Sequence, residues 1–265
     1  MRRGLNGQHC CIMRIFALSD IHVDYNMNAK WVANISTTDY RDDVLILAGD
    51  ITHSLPLFDW CLNTMAKRFR KLLFVPGNHD LWVLQEAPEK DSLQKLEDIS
   101  AIVESSGASM KPLRERNVSI IPLLAWYDYS FGEPGEQLRS SWRDYHACRW
   151  PNEVSEKEVA AHFAARNKQQ VSAAGDTVIT FSHFLPRIDL MPEYIPAKIR
   201  SLYPVFGTIQ LELQLRVLNS RIHIYGHSHF NRNVNIDGVS YINNAFGYPN
   251  ETRIASKRLL CIHEC

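Results

Sequence analysis

The sequence lacks the features that mark several classes of protein. It has six cysteines in 265 residues and no Cys-x-x-Cys pair, too few for a disulfide scaffold. Its longest apolar stretches, such as residues 44–48 and 72–75, are far shorter than the roughly 20 residues that span a bilayer. These absences exclude a membrane-spanning helix and predict a reducing, cytoplasmic location.

The formal net charge of the chain is zero. Lysine and arginine total 29 and aspartate and glutamate total 29, and no long run of either sign occurs. Proteins that bind mainly to the backbone of a polyanion need an excess of basic residues. Binding of nucleic acid is therefore disfavoured.

The first residues of the chain show neither a signal peptide nor the strand and helix patterns of the later residues. Its basic and apolar residues do not form a signal peptide, because Arg14 interrupts the apolar run and no small-residue cleavage site follows. Residues 13–20 already provide a first strand and its turn, whereas residues 1–11 are polar and unpatterned. We therefore expect one domain over residues 12–265 and a leader over residues 1–11 that is disordered or peripheral.

Apolar runs of strand length alternate with helical patterns, which predicts an α/β protein. The runs cover residues 12–18, 44–48, 72–75, 120–124, 178–181, 222–225, 239–242 and 259–262. Helices are predicted over residues 56–70, 92–103, 153–172 and 208–218. In the last third, apolar runs over residues 222–225, 234–236, 239–242 and 259–262 follow one another with turns such as Asp237-Gly238 between them. This spacing predicts a set of adjacent antiparallel strands.

Residues that bind metals follow five of these strands. The segments are Asp20-Ile21-His22, Gly49-Asp50, Gly77-Asn78-His79-Asp80, Ser182-His183 and Gly226-His227-Ser228-His229. Side chains at the carboxyl ends of strands point into a crevice, where ligands bind in α/β proteins. By chance, Asp-x-His is expected about 0.6 times in this chain, but Gly-His-x-His about 0.02 times and Gly-Asn-His-Asp about 0.002 times. Their ordered occurrence indicates a metal site.

In this order the motifs resemble those of the calcineurin-like metallophosphoesterases. The resemblance extends from Asp20 to His229, nearly the whole chain. It implies a four-layer αββα sandwich, with two mixed β-sheets flanked by helices and a dinuclear metal site at one edge. The protein Ser/Thr phosphatase branch is not indicated, because this chain has Gly-Asp-Ile-Thr-His-Ser where that branch has Gly-Asp-x-x-Asp-Arg-Gly.

The resemblance also implies the ligands of two divalent or trivalent transition metal ions. One ion would be held by Asp20, His22, Asp50 and His229. The other would be held by Asp50, Asn78, His183 and His227. A shared carboxylate offsets the repulsion between two cations about 3.5–4 Å apart, which a neutral imidazole cannot do. Imidazole and oxygen ligands without thiolate favour Mn, Fe or Zn over Ca.

Two residues of the third motif receive catalytic roles from the resemblance. Asn78 would contact both metal and phosphate, and His79 would face the phosphate without binding metal. An imidazole with a pKa near 6.5 can donate a proton to a leaving alkoxide at neutral pH. The expected reaction is hydrolysis of a small phosphomonoester or phosphodiester by a hydroxide that bridges the two ions.

Several assignments have alternatives. His53, three positions after Asp50, is either the partner that orients His79 or an ordinary loop histidine. The aromatic stretch over residues 126–150 either forms a wall of the substrate pocket or packs in the core. Asp80 and His223 have structural interpretations, the first as a hydrogen-bonding residue and the second as a core histidine.

Two other functions compete with the enzyme. A non-catalytic scaffold of the same fold, as in the retromer complex, typically lacks motif histidines, and all of them are present here. A nuclease is disfavoured by the absence of a basic stripe. The motif residues handle only phosphate and metals, so the alcohol of the ester, the native metals and the oligomeric state stay open.

The leader provides a first prediction. Because residues 13–20 contain the complete first strand and ligand turn, we expect deletion of residues 1–12 to leave folding and activity intact. Thermal unfolding of the full and shortened chains measures the difference. A large fall in melting temperature on deletion would contradict the interpretation.

Overall fold

The computed structural model describes residues 12–168 and 177–265. Residues 1–11 lie outside this part of the chain, so the interpretation of the leader stays a prediction. The strands are β1 (Arg14–Leu18), β2 (Val44–Ala48), β3 (Lys71–Val75), β4 (Leu113–Glu115), β5 (Val118–Pro122), β6 (Thr177–Phe181), β7 (Ile222–Tyr225), β8 (Arg232–Ile236), β9 (Val239–Asn243) and β10 (Leu260–Glu264).

Helices connect most of these strands. They are α1 (Asn26–Ala33), α2 (Leu55–Ala66), α3 (Ser92–Ser105), α4 (Glu136–Ser141), α5 (Asp144–Ala147), α6 (Glu156–Lys168), α7 (Ala197–Arg200) and α8 (Ile209–Val217). Short 3₁₀ helices occur at His79–Leu81, Pro151–Glu153, Ile188–Leu190 and Tyr203–Val205. No helix in the described ranges has both the length and the apolar character needed to cross a membrane.

The strands form two mixed sheets. In the first sheet the order is β10-β1-β2-β3, with β1, β2 and β3 parallel and β10 antiparallel to β1. In the second the order is β4-β5-β6-β7-β9-β8, with four central parallel strands and antiparallel strands at both edges. Parallel strands end at the same edge of a sheet, so the segments that follow β1, β2 and β3 are neighbours.

Apolar side chains on the two sides of each sheet build a four-layer structure. Alternate residues such as Ile15 and Ile46 from the first sheet pack against Ile179 and Ile224 from the second in one buried cluster. The opposite faces pack under the helices in a larger cluster that includes Phe58 of α2 and side chains of α3, α6 and α8. The expected sandwich of two mixed sheets between helices is therefore confirmed.

The prediction of adjacent antiparallel strands in the last third was wrong. Strands β7 and β9 are parallel neighbours, and only β8 and β9 form an antiparallel hairpin at the Asp237-Gly238 turn. Strand β10 belongs to the other sheet, against β1. The burial of the strands explains the order, because β9 is nearly all buried whereas β8 alternates between half-buried and exposed residues, as an edge strand does.

The predicted helices exist with shifted ends. The segments 92–103 and 208–218 correspond to α3 and α8 within two residues. The segment 56–70 ends as a helix at Ala66. Helix α6 begins at Glu156, and residues 169–172 of the predicted segment lie outside the described part of the chain.

The cluster between the sheets predicts a large cost for truncation. Ile46 is fully buried at the centre of β2, and we expect Ile46→Ala to lower the free energy of unfolding by about 2–5 kcal/mol. Val217 of α8 is 76% exposed, and Val217→Ala should change it by less than about 0.5 kcal/mol. Urea unfolding measures both, and equal midpoints for the two variants would contradict this packing.

Candidate metal centre

The structure brings the motif residues together at the seam between the two sheets. Seven side chains, each between 0% and 9% exposed, converge here: Asp20, His22, Asp50, Asn78, His183, His227 and His229. Hydrogen bonds of the motif residues help to join the sheets at this point. The backbone N–H of His227 donates to Asp20 Oδ1 at 3.0 Å, and His183 Nδ1 lies 2.9 Å from the carbonyl oxygen of Ala48.

One group of ligand atoms comes from Asp20, His22 and His229. His229 Nε2 lies 3.2 Å from Asp20 Oδ1 and 3.3 Å from His22 Nε2. All three ligand atoms fall within 4.8 Å of one another. Such a group of one carboxylate and two imidazoles is compact enough to hold a single ion.

A second group comes from Asn78, His183 and His227. His183 Nε2 lies 3.2 Å from both Asn78 Oδ1 and His227 Nδ1. The carboxylate of Asp50 borders both groups, since Asp50 Oδ2 is 3.4 Å from His183 Nε2 and 4.0 Å from His22 Nε2. Asp50 is thus the anionic side chain between the two groups.

Hydrogen bonds fix the rings of three histidines by the nitrogen that faces away from the site. Their partners are Ala48 O for His183 Nδ1 (2.9 Å), Val205 O for His227 Nε2 (3.0 Å) and Glu251 Oε2 for His229 Nδ1 (2.6 Å). An imidazole that donates its N–H to such an acceptor directs the lone pair of its other nitrogen into the site. This is the usual arrangement around metal-binding histidines.

The backbone is left-handed at five of the seven residues. The φ angles are 53° for Asp20, 45° for His22, 56° for Asp50, 65° for His227 and 57° for His229. Such angles are uncommon outside glycine and cost on the order of 1–3 kcal/mol each. Concentrated strain of this kind is typical of functional sites, where the surrounding structure holds it.

Two motif glycines leave space for ligand side chains. A Cβ atom on Gly77 would lie 2.1 Å from Asp50 Oδ1, and one on Gly226 would lie 2.7 Å from Asp20 Oδ2. Both distances are too short for any side chain, so each glycine allows a neighbouring loop to place its carboxylate. Gly77 and Gly226 therefore each give space to a carboxylate from another motif.

Asp80 connects two of the ligand loops. Its carboxylate accepts hydrogen bonds from the backbone N–H groups of Asp50, Ile51, Thr52 and Gly77, at 2.8–3.1 Å. This agrees with the structural interpretation of Asp80. His223 also has the expected environment, since it is fully buried and bonded to Thr180 Oγ1 and Ser182 Oγ.

The carboxylates favour positive charge on both sides of the site. Burial raises the pKa of Asp20, but the charges of His229 and His183 outweigh it, and the pKa falls to about 2. Burial lowers the pKa of His183, but the Asp50 carboxylate outweighs it, and the pKa rises to about 9. Buried carboxylates that stabilise cationic partners also provide the electrostatic environment that bound cations need.

His79 lies at the open side of the site. Its side chain is 18% exposed, and its Nε2 is 3.9 Å from Asp50 Oδ2. Its ring stacks on the indole of Trp82, with centroids 3.7 Å apart, and burial lowers its pKa. His53 makes its contacts in the described structure with Asp24 and Trp82 rather than with His79, which favours its interpretation as a loop histidine.

Sequence reasoning missed two carboxylates around the site. Glu251 accepts the hydrogen bond from His229, and Asp144 accepts one from Asn78. Neither lies in a motif, so nothing in the sequence distinguishes them from other acidic residues. The aromatic stretch over residues 126–150 has two parts with different surroundings. Trp126 and Tyr127 are buried in the core, whereas Trp142 lies beside His227 of the candidate site.

Comparisons with known proteins identify a family and relatives that this chain resembles. The family profile of calcineurin-like phosphoesterases matches residues 13–231. The acyl-carrier-protein phosphodiesterase PptH of Mycobacterium tuberculosis is 25% identical over 261 residues, which cover 90% of this chain and 79% of that protein. The crystal structure of phosphopantetheinyl hydrolase (PptH) from the same organism has a similar fold, with a TM-score of 0.79 and 21% identity over 94% of this chain and 95% of that one.

The position of Asp50 predicts unequal effects of substitution on metal binding. If Asp50 serves both groups, Asp50→Asn should weaken the binding of two Mn²⁺ ions, whereas His22→Ala should weaken mainly one. Equilibrium dialysis followed by metal analysis measures the occupancy. His162→Ala, in an exposed position on α6, is the control and should bind both ions as the unchanged chain does. The same loss in Asp50→Asn and His22→Ala would contradict the shared position.

Proposed function

The chain belongs to the calcineurin-like phosphoesterase family, and on this basis we propose that it is a metal-dependent phosphodiesterase. The observation that carries the proposal is the convergence of side chains from five loops. Within 4.8 Å, Asp20, His22 and His229 form one group of ligand atoms and Asp50, His183 and His227 form another, and Asp50 also lies within this distance of His22 and His79. His79 lies beside both groups and remains partly exposed. A substrate phosphate can therefore reach the ligand groups and an imidazole at the same time.

The donor set fits two transition metal ions. Asp20, His22, Asp50 and His229 would hold one ion, and Asp50, Asn78, His183 and His227 the other. Imidazole nitrogens with carboxylate and amide oxygens suit Mn, Fe or Zn. When bound, such ions would supply Lewis acidity at the phosphoryl oxygens and activate a water molecule as the nucleophile.

The residues of the chain would orient the reacting groups, and one of them, His79, would supply a proton. The backbone N–H of His79 donates to Asp50 Oδ1 at 2.9 Å, which fixes its loop to the shared carboxylate. The stacked indole of Trp82 restricts rotation of the imidazole. We assign His79 as the group that protonates the leaving alkoxide, and Asn78 as the residue that holds both metal and phosphate.

The relative suggests the substrate class. It is named for action on acyl carrier protein, and the similar crystal structure is that of a phosphopantetheinyl hydrolase. We extend this class to the present chain, so that the phosphodiester would link a phosphopantetheinyl group to a carrier protein. Similarity over 90% of the chain supports the extension.

A carrier protein provides the direct test of this substrate. Incubation of holo-acyl carrier protein with the Mn²⁺-loaded chain should remove the phosphopantetheinyl group, which mass spectrometry detects as a fall in carrier mass. A chelator, or Asp50→Asn, should abolish the reaction because both remove the metal centre. If simple phosphodiesters are cleaved while the carrier protein is not, the substrate class is wrong but the phosphodiesterase remains.

The scaffold and the nuclease remain the alternatives. All motif histidines are present and converge, which is the opposite of the loss expected in a scaffold, and the net charge of zero opposes nucleic-acid binding. Binding of two metals without turnover of any carrier protein, simple diester or phosphomonoester would favour the scaffold.

His79 gives a prediction about mechanism. If it protonates the leaving group, His79→Ala should keep both metals and lose roughly 10²–10⁴-fold in turnover of an alkyl phosphodiester. A nitrophenolate is already stable as an anion, so a nitrophenyl diester should lose much less. Steady-state kinetics on the two substrates measures the difference.

His162→Ala is again the matched control for this experiment and should turn over both diesters as the unchanged chain does. An equal loss for both leaving groups, or loss of metal from His79→Ala, would assign His79 to binding rather than proton transfer.

A further inference from the structure

Asp144 is a buried carboxylate that belongs to none of the motifs. It is the first residue of α5 and is 2% exposed. Its three hydrogen-bond partners are neutral: Oδ1 accepts from Asn78 Nδ2 at 2.9 Å and from Trp82 Nε1 at 2.7 Å, and Oδ2 accepts from Trp142 Nε1 at 2.7 Å. Within the described ranges it forms no ion pair with Lys, Arg or His. Burial of a carboxylate without a cationic partner costs folding free energy, which suggests that Asp144 has a further role.

The first consequence concerns Asn78. An asparagine amide can present either its oxygen or its NH₂ group to a site. A carboxylate only accepts hydrogen bonds, so Asp144 selects the NH₂ group and turns Oδ1 of Asn78 toward the ligand group, 3.2 Å from His183 Nε2. Asp144 thereby determines which end of the amide a metal would meet.

The second consequence concerns His79. The same oxygen of Asp144 accepts from the indole of Trp82, and this indole stacks on the His79 ring at an angle of 29°. The indole can neither rotate nor slide without breaking that hydrogen bond. One carboxylate oxygen therefore fixes both a ligand amide and the support of the neighbouring imidazole.

We propose that Asp144 is a positioning residue that orients the Asn78 ligand and the His79 imidazole together. The inference rests on the proposed metal-dependent function. It also supplies the support for His79 that the motifs leave open, because His53 stands at the position of the aspartate in the protein phosphatase branch and contacts Asp24 instead. In this chain the support comes through Trp82.

Binding of Mn²⁺ to the full chain tests the proposal without any substrate. We expect Asp144→Ala to weaken the binding of one ion by roughly 10–100-fold, the usual loss when a group behind a metal ligand is removed. In an Asn78→Ala background the same substitution should cause no further loss, because the amide that it orients is gone. Unchanged Mn²⁺ affinity, or an equal further loss in that background, would overturn the proposal.

Control variants separate positioning from general destabilisation. Asp43 is also 2% exposed, but it pairs with Arg14 at the opposite end of β2 from the site. Asp43→Ala should therefore lower the melting temperature without changing Mn²⁺ affinity. Asp144→Asn retains an acceptor oxygen for Asn78 and Trp82 and should lose less affinity than Asp144→Ala. A loss as large as that of the alanine variant would contradict orientation by these hydrogen bonds.

A last variant covers the case in which Asp144→Ala does not fold. Asp144→Leu fills the space without an acceptor and should weaken Mn²⁺ binding as alanine does, whereas unchanged affinity would overturn the proposal. Failure of the proposed function is a distinct result. It would appear as absent hydrolysis by the unchanged chain, while the effect of Asp144 on Mn²⁺ binding would still be measurable.

Discussion

The rest of the site depends on the contacts of one side chain, the carboxylate of Asp50. One of its oxygens faces histidines from both ligand groups, and the other accepts the backbone N–H of His79. Four features keep it there: a left-handed backbone angle, the space beside Gly77, the backbone bond to Asp80 and full burial. Two cations held close together need an anion between them, and the surrounding loops are arranged to hold that anion still.

The two-sheet architecture brings loops from both sheets to the candidate site. A single parallel sheet presents its loops along one edge, and here the first sheet contributes the residues that follow β1, β2 and β3. The remaining histidines follow β6 and β7 of the second sheet, whose core packs against the first. Packing of the two apolar faces therefore aligns two loop sets. The hydrogen bond from His227 to Asp20 joins them at the seam.

The fold class and the convergence of the motif residues could be predicted from sequence because both leave local patterns. Apolar periodicity located the strands, and rare motifs such as Gly77-Asn78-His79-Asp80 located the polar loops. The pairing of strands could not be predicted in the same way. An apolar run such as residues 239–242 has the same composition beside either neighbour, and only its burial on both faces indicates the interior position of β9.

The supporting residues were beyond prediction for a different reason. Histidines that bind metals usually donate their second ring N–H to an acceptor, but the sequence does not show which residue provides that acceptor. In this chain the acceptors are Ala48 O, Val205 O and Glu251, two of which are backbone groups with no signature in the sequence. Asp144 likewise has no signature in the sequence, because its proposed role depends on a tertiary contact with Asn78, 66 residues away.

The motif residues and the residues that orient them lie in different parts of the chain. In the proposed function the motif residues would act at the phosphorus atom, whereas groups that orient them come from connections such as the one between β5 and α6, which carries Trp142 and Asp144. This connection borders the candidate site, since Trp142 lies beside His227. A change at Asp144 would therefore alter the orientation of Asn78 and the support of His79 by Trp82 together. The connection and the motif residues are therefore linked in the structure through Asp144.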